Sequence, residues 1–258
     1  MIDVNAYLGH FAFRRLRHNT ARELLELMDR KGIERAAVSS ASSITYRNAQ
    51  SGNEELAVEI KAHRDRLIPF AVLNPAYAGW QDDLKICCEE FGVKGLRLYP
   101  RWHNYRLTDT AAIELAHRAA GLGMAISIPI RVEDRRQQSW LVDVPDVSHE
   151  EIAALIRAAP EARFILSNGS GFLSSSLGRP NNGLPANYAI DISLLTAVLA
   201  NELGSLLGNL GEDRLVFGTG MPFHYPDVAL TKLEALEAPE PVKQKIARGN
   251  AARILGLR

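Results

Sequence analysis

The chain has 258 residues, of which 47% are hydrophobic, 23% charged and 7% aromatic. This composition is typical of a globular protein and excludes a disordered, fibrous or disulfide-scaffolded chain. Thirty Lys and Arg balance thirty Asp and Glu, so the formal net charge is zero. No global electrostatic field therefore favours nucleic acid or an anionic membrane as a partner.

The cysteines and the first residues of the chain indicate where in the cell the protein is located. Cys87 and Cys88 are adjacent, and two neighbouring cysteines do not readily bridge each other or form a disulfide framework. No stretch reaches about 18 consecutive apolar residues, and the first ten residues lack the pattern of a signal peptide. We therefore expect a cytoplasmic protein without a membrane span.

Short β-branched runs alternate with segments of helical periodicity from one end of the chain to the other, a pattern that predicts parallel strands joined by crossover helices. Strands are predicted at residues 2–4, 35–39, 67–73, 93–98, 124–128, 163–167, 188–192 and 214–217. Helices are predicted at residues 21–30, 54–62, 80–91, 111–120, 150–158, 194–206, 228–236 and 242–255.

Eight strand–helix units in a chain of this length predict one α/β domain over residues 1–258, a (β/α)8 TIM barrel whose active site is built by the loops after the strands. A doubly wound open sheet is the main alternative. No Gly-x-Gly-x-x-Gly follows the first strand and no Walker motif is present, so nucleotide binding lacks its usual motif. The irregular stretch 169–187 is predicted to be a long loop over the barrel mouth.

Seven short segments of the chain carry the pattern of a known family. They are IDVNAYLG, VKGLRLYP, GMAISIPI, RFILSNGSG, YAIDIS, EDRLVFGTGMP and IARGNAARILGL. Together they resemble the amidohydrolase-related branch of the amidohydrolase superfamily, and the last two segments are the most specific. The resemblance covers nearly the whole chain, and it implies a TIM barrel related to metal-dependent hydrolases and decarboxylases of small acids.

The resemblance also implies a metal site whose ligands this chain replaces. Family members would carry His-x-His at the first strand, a His ending the fifth and the sixth strands, and an Asp after the eighth. These positions fall on Asn5, Tyr7, Pro129, Asn168 and Gly220. Zinc and related ions need several imidazole, carboxylate or thiolate donors at about 2.0–2.3 Å. We therefore expect no metal at this site and no hydrolysis by the family's metal-dependent route.

A relocated metal site is an alternative. His10, His103 and His224 follow the first, fourth and eighth predicted strands, where the loops of the barrel mouth are expected. Together with Glu133 or Asp134, they could bind zinc at a new position. Their spacing shows no local ligand pattern.

Arginines concentrate in the loops of the predicted mouth. The guanidinium group presents a planar fork that suits a carboxylate or phosphate, which predicts a small anionic molecule as the ligand. Arg97 and Arg131 are the best candidates because strand alternation keeps them near the barrel ends. Asn5, Tyr99 and Asn168 complete the predicted binding set. The alternative is that the arginines are solvated or pair with nearby acidic residues.

His224, Asp191 and Tyr7 are the candidate acid–base groups. His224 is the best candidate general acid or base, because an unperturbed imidazole has a pKa of about 6.5 and can transfer protons at neutral pH. The side chain of Asp191 could equally point into the outer helix layer or form a structural salt bridge. The segment around Ser170 is not a nucleophile elbow, since Asn168 replaces the first glycine of the Gly-x-Ser-x-Gly pattern.

Two interpretations of function remain open from the sequence. In the first, the chain is a hydrolase, lactonase or decarboxylase of a small carboxylate that works without the usual metal. In the second, it is a non-catalytic barrel that binds an anionic molecule or serves as a structural subunit. The first is favoured because the titratable groups and arginines of the mouth exceed what a structural subunit needs. The resemblance also suggests a homodimer or larger assembly.

Overall fold

The computed structural model describes residues 1–198 and 200–257. Within them, eight parallel strands form one sheet in sequential order. The strands are β1 (Ile2–Leu8), β2 (Arg35–Ser40), β3 (Leu67–Val72), β4 (Gly95–Arg97), β5 (Ala125–Pro129), β6 (Arg163–Ser167), β7 (Tyr188–Asp191) and β8 (Leu215–Val216). The helices are α1 (Ala21–Lys31), α2 (Ala49–Glu59), α3 (Trp80–Glu89), α4 (Thr110–Gly121), α5 (His149–Ala158), α6 (Glu202–Leu210), α7 (Pro226–Ala235), α8 (Glu240–Gln244) and α9 (Asn250–Leu255).

The sheet closes on itself through backbone hydrogen bonds between β1 and the segment after β8. Val4 N donates to Phe217 O at 3.0 Å, and Tyr7 N donates to Met221 O at 2.9 Å. Closure confirms the predicted TIM barrel, and the open-sheet alternative is wrong. Because all strands are parallel, their carboxyl ends share one end of the barrel, the barrel mouth.

The opposite end of the barrel is filled with apolar side chains. The inward-facing residues and those of α9 that cover them form one buried cluster: Ile2, Val4, Ala37, Ile68, Phe70, Ala125, Ile165, Ala189, Val216, Ala251, Ile254 and Leu255. Burying a side chain such as Phe70 stabilises the fold by about 1.5–3 kcal/mol. Helix α9 therefore closes the end of the barrel opposite the mouth.

The helices form an outer layer, and α1 shows how the sequence specifies them. Thr20 caps the helix by accepting a hydrogen bond from Glu23 N, and Gly32 ends it in the left-handed conformation at φ 67°. Between these caps, Leu24 and Met28 are fully buried against the strands. No helix in the described part of the chain combines the length and apolarity needed to cross a membrane.

A bulge in β1 changes which residues face the barrel interior. The pairing of β1 with β2 shifts between Asp3 and Ala6. Val4 belongs to the apolar cluster inside the barrel, yet the next residue, Asn5, is also buried inside and bonds across the barrel to Asn168. A strict alternation would place neighbours on opposite faces. The bulge therefore lets one strand supply both the apolar end and the polar end of the interior.

Three predicted helices differ from the structure by more than two residues at one end or are divided. The helix predicted at 194–206 is α6, which begins at Glu202, since Asn201 caps it by accepting from Gly204 N. Residue 199 of the predicted helix lies outside the described residues. The helix predicted from residue 54 begins at Ala49, where Asn48 caps α2. The segment 242–255 is divided by a π-helical turn, Lys245–Gly249, between α8 and α9.

The loop 169–187 does not lie over the barrel mouth as predicted. Its Phe172 ring stacks on His149 of α5 with centroids 4.7 Å apart, and Phe172 N donates to Glu202 Oε1 of α6 at 2.7 Å. Phe172 and Leu177 are both fully buried. The apolar residues within this polar stretch hold it against the outer helices, so that prediction was wrong.

Candidate functional site

Four of the predicted site residues meet inside the barrel near its mouth. Asn5 Nδ2 donates to Asn168 Oδ1 at 2.7 Å and to Asp191 Oδ2 at 2.8 Å. Asn168 Nδ2 donates to the Tyr7 hydroxyl at 3.1 Å. All four side chains are fully buried. We call these four residues the interior network; they satisfy much of one another's hydrogen-bonding capacity.

Asp191 faces the barrel interior and not the outer helix layer. Besides Asn5, its carboxylate accepts from Ser193 N at 2.6 Å and from Ser193 Oγ at 2.9 Å. Burial raises the pKa of Asp191 above its ordinary range, against the effect of these hydrogen bonds. A Cβ on Gly218 would lie 2.5 Å from Asp191 Oδ1, so a glycine at this position leaves room for the carboxylate.

Arg97 lies beside the interior network, fully buried. Its guanidinium donates to Ala6 O at 2.9 Å, to Val4 O at 3.1 Å and to Ser39 Oγ at 2.9 Å. It also stacks over the Tyr7 ring at 4.5 Å. These contacts hold the bulged part of β1. The role of Arg97 in binding a ligand stays a prediction.

Asp3 is a buried carboxylate that the sequence analysis missed. Its Oδ1 accepts from Asn5 N at 2.8 Å and from Thr219 N at 3.0 Å, and its Oδ2 accepts from Thr219 Oγ1 at 2.6 Å. Burial raises the pKa of Asp3 to about 7. The side chain ties β1 to the segment after β8. An aspartate within the apolar run of the first strand was the signal that could have identified it.

His224 lies at the edge of the interior network and is neutral at pH 7. Burial and the nearby Arg14 cation lower the pKa of its imidazole to about 4. The imidazole therefore does not have the near-neutral pKa expected from the sequence. A Cβ on Gly220 would lie 2.5 Å from the His224 ring and 3.1 Å from Asn168 Oδ1. The position that the family resemblance gives to a metal-binding Asp is therefore filled by its neighbours.

A small cavity opens beside the network between the loops after β4 and β5. We call it the mouth cavity and define it by its polar lining residues Tyr99, Arg101, Arg131 and Glu133. Its volume is about 20 Å³, enough for about one water molecule. Tyr99 Oη, Arg101 Nε and Arg131 Nε are buried and have no hydrogen-bond partner among residues 1–198 and 200–257.

Both arginines of the mouth cavity pair with carboxylates, and one of these, Asp146, also lines the cavity. Arg131 Nη2 lies 2.6 Å from Asp146 Oδ2, and Arg101 Nη2 lies 2.5 Å from Glu151 Oε2. The alternative that mouth arginines pair with nearby acids therefore holds for Arg131, but each guanidinium keeps its Nε free of those pairs. Burial raises the pKa of Tyr99 well above its ordinary value, so this side chain remains a neutral hydrogen-bond donor.

Four aromatic rings cover the interior network on the mouth side. We call Phe11, Phe13, Trp102 and Phe223 the aromatic cover. The Phe11 ring contacts Phe223 with centroids 5.0 Å apart and Trp102 at 5.9 Å, and Phe223 contacts Tyr7 edge-on at 4.9 Å. Through Phe223 the cover therefore packs directly on Tyr7 of the buried interior network.

The residues at the family's metal positions do not fit a divalent ion. Asn5 presents its amide N–H groups to Asn168 and Asp191, and an N–H group cannot ligate a cation. Its Oδ1, which has no hydrogen-bond partner among the described residues, is a single neutral oxygen. Pro129 and Gly220 supply no side-chain donor. Catalytic metals require converging imidazole, carboxylate or thiolate groups, and none of the residues at the family's five metal positions offers one.

The relocated zinc site is not assembled either. His103 Nε2 lies 3.1 Å from Ser43 O, His10 Nδ1 lies 3.3 Å from Asn19 Nδ2, and His224 lies against Gly220. Across the described ranges, no group of three or more His, Cys, Asp or Glu side chains could hold a metal ion. The three histidines therefore do not converge as that alternative required.

Fold and site together define a TIM-barrel protein with polar groups gathered at the carboxyl ends of its strands, as in enzymes of this fold. The family model described as Amidohydrolase matches residues 7–257. The chain belongs to the amidohydrolase family. No curated protein matches the chain.

Solved structures of similar fold come from several bacteria. 2,6-Dihydroxybenzoate decarboxylase from Rhizobium is 20% identical at a TM-score of 0.73 and covers 99% of both chains. A dihydroxybenzoic acid decarboxylase from a Polaromonas species, solved with bound manganese and an inhibitor, is 18% identical at 0.73, with 99% of this chain and 96% of that chain covered. 4-Oxalomesaconate hydratase from Rhodopseudomonas palustris is 16% identical at 0.66, covering 99% and 95%. These likenesses establish the fold.

Proposed function

We propose that this protein binds a small carboxylate at the mouth cavity and decarboxylates it without a metal ion. The observation that carries the proposal is the set of buried, unpartnered donors on Tyr99, Arg101 and Arg131 among the described residues. Unpaired buried polar groups are costly, and a carboxylate oxygen that accepts from them would remove that cost. Charge-assisted bonds from arginine to a carboxylate are among the strongest hydrogen bonds in proteins.

Glu133 is the proposed proton donor. Its side chain lines the same cavity, is 3% exposed, and has a pKa raised by burial against the opposing effect of Arg14. In the reaction, the bond between the substrate carbon and its carboxylate breaks, and carbon dioxide leaves. The electron pair stays on the substrate carbon, which takes the proton of Glu133. Tyr99 and Arg131 hold the substrate during this step.

Hydrolysis is less well supported by these residues. It requires an activated water molecule. His224 is a weak base, with a pKa of about 4, and the carboxylates of Asp3 and Asp191 are fully buried and already accept hydrogen bonds from protein groups. Decarboxylation needs only a held carboxylate and a proton donor, which the mouth cavity offers.

The similar structures support a carboxylate substrate. They include two decarboxylases of dihydroxybenzoates and a hydratase of 4-oxalomesaconate. One of these decarboxylases was solved with manganese, whereas Asn5, Asn168 and Gly220 do not offer a donor set for such an ion. For that reason the proposed mechanism uses side-chain acid–base chemistry alone.

A non-catalytic carboxylate-binding barrel is the second candidate. It is favoured by the interior network, in which Asn5, Tyr7, Asn168 and Asp191 bond to one another beneath the aromatic cover. Such a network leaves these four residues little capacity to contact a substrate. In this case the mouth cavity would bind its ligand without turnover.

Incubation with 2,6-dihydroxybenzoate tests the two candidates directly. Decarboxylation would release carbon dioxide and resorcinol, which are measured by chromatography and gas analysis. Glu133→Gln is expected to retain binding, measured by calorimetry, and to lose turnover by about 10²-fold or more, as expected for removal of a general acid. The exposed Glu237 provides the control variant Glu237→Gln, which should match the wild type. Binding without any turnover by the wild type would support the second candidate.

A further inference from the structure

Arg14 joins three loops of the barrel mouth. It follows β1, and its Nη2 donates to Phe223 O, in the loop after β8, at 2.9 Å. In the loop after β5, its Nη1 donates to Gln137 Oε1 at 2.9 Å, and its Nε lies 3.0 Å from Glu133 Oε1. A single guanidinium therefore donates hydrogen bonds to both neighbouring loops through Nη1 and Nη2, and its Nε forms an ion pair with Glu133.

The same residue holds the aromatic cover in place. Arg14 N donates to Phe11 O at 3.4 Å in a tight turn, and that turn presents Phe11 and Phe13 to Trp102. The Arg14 guanidinium also lies 5.7 Å from the centre of the Phe223 ring. Displacing the Arg14 side chain would therefore release its contacts with the backbone and ring of Phe223, while the backbone turn at Phe11 would keep its own hydrogen bond.

The cavity beneath requires such a displacement. At about 20 Å³ the mouth cavity has room for about one water molecule, whereas an aromatic carboxylate is several times larger. A ligand can reach Tyr99 and Arg131 only if the loops that line the cavity move apart. These loops follow β4 and β5, and Arg14 restrains the second of them by joining it to the loop after β8.

The charges around Glu133 leave Arg14 as its counter-ion. Arg101 and Arg131 line the same cavity, but they pair with Glu151 and Asp146. The adjacent Asp134 and Arg136 pair with each other, and Tyr99 is neutral. Burial raises the pKa of Glu133 and Arg14 lowers it, so loss of Arg14 would favour the protonated acid.

We propose that Arg14 holds the barrel mouth closed and acts as a positioning residue for Glu133. An incoming carboxylate draws Arg14 away from Glu133, which releases the aromatic cover. Glu133, left without its counter-ion in a buried cavity, takes up one proton from solvent and is ready to donate it. The role of the incoming carboxylate rests on the proposed function, whereas closure of the mouth and the Glu133 pairing do not depend on any ligand.

The first test measures closure without ligand. In a protein carrying Trp80→Phe and Trp140→Phe, the remaining Trp102 reports on the aromatic cover by acrylamide quenching of its fluorescence. Arg14→Gln is expected to increase quenching severalfold. Arg15→Gln changes the neighbouring exposed arginine and should leave quenching unchanged. Equal quenching in the Arg14 variant and its control would overturn the closure proposal.

The second test measures the protonation of Glu133. Carbon-13 spectra of glutamate-labelled protein, with the Glu133 signal assigned by its loss in Glu133→Gln, give its pKa. In Arg14→Gln this pKa should rise by about 1–3 pH units, the usual effect of losing an adjacent opposite charge. Arg14→Lys keeps the charge but not the planar fork, so it should leave the Glu133 pKa near that of the wild type while quenching increases. An unchanged Glu133 pKa in Arg14→Gln would overturn the positioning role.

Ligand experiments then separate this proposal from the proposed function. Benzoate should associate faster with Arg14→Lys than with the wild type in stopped-flow measurements, and equal rates would contradict closure by Arg14. If benzoate binds neither protein, the carboxylate proposal fails while the quenching and pKa results still decide the role of Arg14. If Arg14→Gln does not fold by circular dichroism, Arg14→Lys and Gln137→Ala carry the quenching test.

Discussion

The interior network and the mouth cavity lie side by side at the same end of the barrel but differ in how their polar groups are satisfied. In the interior network, the amides of Asn5 and Asn168 bond to each other, to Tyr7 and to Asp191. Of these four side chains, only Asn5 has a buried polar atom, Oδ1, without a partner among the described residues. In the mouth cavity, the Nε atoms of Arg101 and Arg131 have no hydrogen-bond partner among the described residues.

This difference indicates where a ligand belongs. A buried polar group that is already bonded gains little from a ligand, whereas an unpartnered donor gains a full hydrogen bond. The interior network therefore resembles a structural core, built at positions that the family resemblance assigns to metal ligands. Substitutions in the interior network should therefore change stability, whereas substitutions in the mouth cavity should change ligand binding.

Arg97→Ala should cause the largest change, in stability and not in binding. The variant removes donors to Val4 O, Ala6 O and Ser39 Oγ and leaves buried acceptors unpaired, at a cost of about 3–5 kcal/mol in the free energy of unfolding. Urea denaturation measures this, with the exposed Arg22→Ala as a control that should show no change. A stable Arg97→Ala protein that has lost benzoate affinity would instead make Arg97 a ligand-binding residue.

The pH dependence of stability should report on Asp3. Its pKa is about 7 in the folded protein and near 3.8 ordinarily, so between these values the unfolded chain is ionised while the folded chain keeps the proton. The free energy of unfolding therefore falls as pH rises from about 4 to 7, by up to about 1.4 kcal/mol per pH unit. Asp191 contributes in the same direction.

Asp3→Asn isolates the contribution of this carboxyl. The Asn oxygen can accept from Asn5 N and Thr219 N, and the Thr219 hydroxyl can turn to accept from the new amide. Urea denaturation across that pH range should then show a shallower slope than in the wild type. Identical slopes would mean that Asp3 is ionised in the folded protein.

Arg131→Ala should affect binding more than stability. Loss of a charged hydrogen bond to a carboxylate lowers affinity by about tenfold or somewhat more, measured with benzoate by calorimetry. The Arg131–Asp146 pair is about one-quarter exposed on both sides, so its loss should change the free energy of unfolding by about 1 kcal/mol or less. Arg136→Ala, on the same loop, is the matched control. Equal benzoate affinity in both variants would place the ligand elsewhere.

Ser193→Ala should produce the smallest effect. It removes one hydrogen bond to Asp191 Oδ2 while the bonds from Ser193 N and Asn5 Nδ2 remain. The expected loss in the free energy of unfolding is about 0.5–1.5 kcal/mol, with benzoate affinity unchanged. A clear loss of affinity would connect the interior network to the ligand.

The sequence predicted the barrel because alternating apolar strands and amphipathic helices leave few other parallel arrangements. It also placed Asn5, Tyr7 and Asn168 close together, since the ends of parallel strands converge. The inward contacts of Arg97 depend on a bulge that strand alternation does not reveal. Likewise, the low pKa of His224 and the raised pKa of Asp3 depend on burial, which only the packed structure defines.

The proposal that the mouth cavity binds a carboxylate without a metal ion is tested most directly by comparing benzoate binding before and after metal removal. The protein is purified without chelator, its metal content is determined by elemental analysis, and calorimetry is repeated after dialysis against EDTA. Binding at the mouth cavity by Tyr99, Arg101 and Arg131 predicts the same affinity in both preparations. Benzoate binding that requires a near-stoichiometric metal and is lost after dialysis would contradict metal-free binding at the mouth cavity.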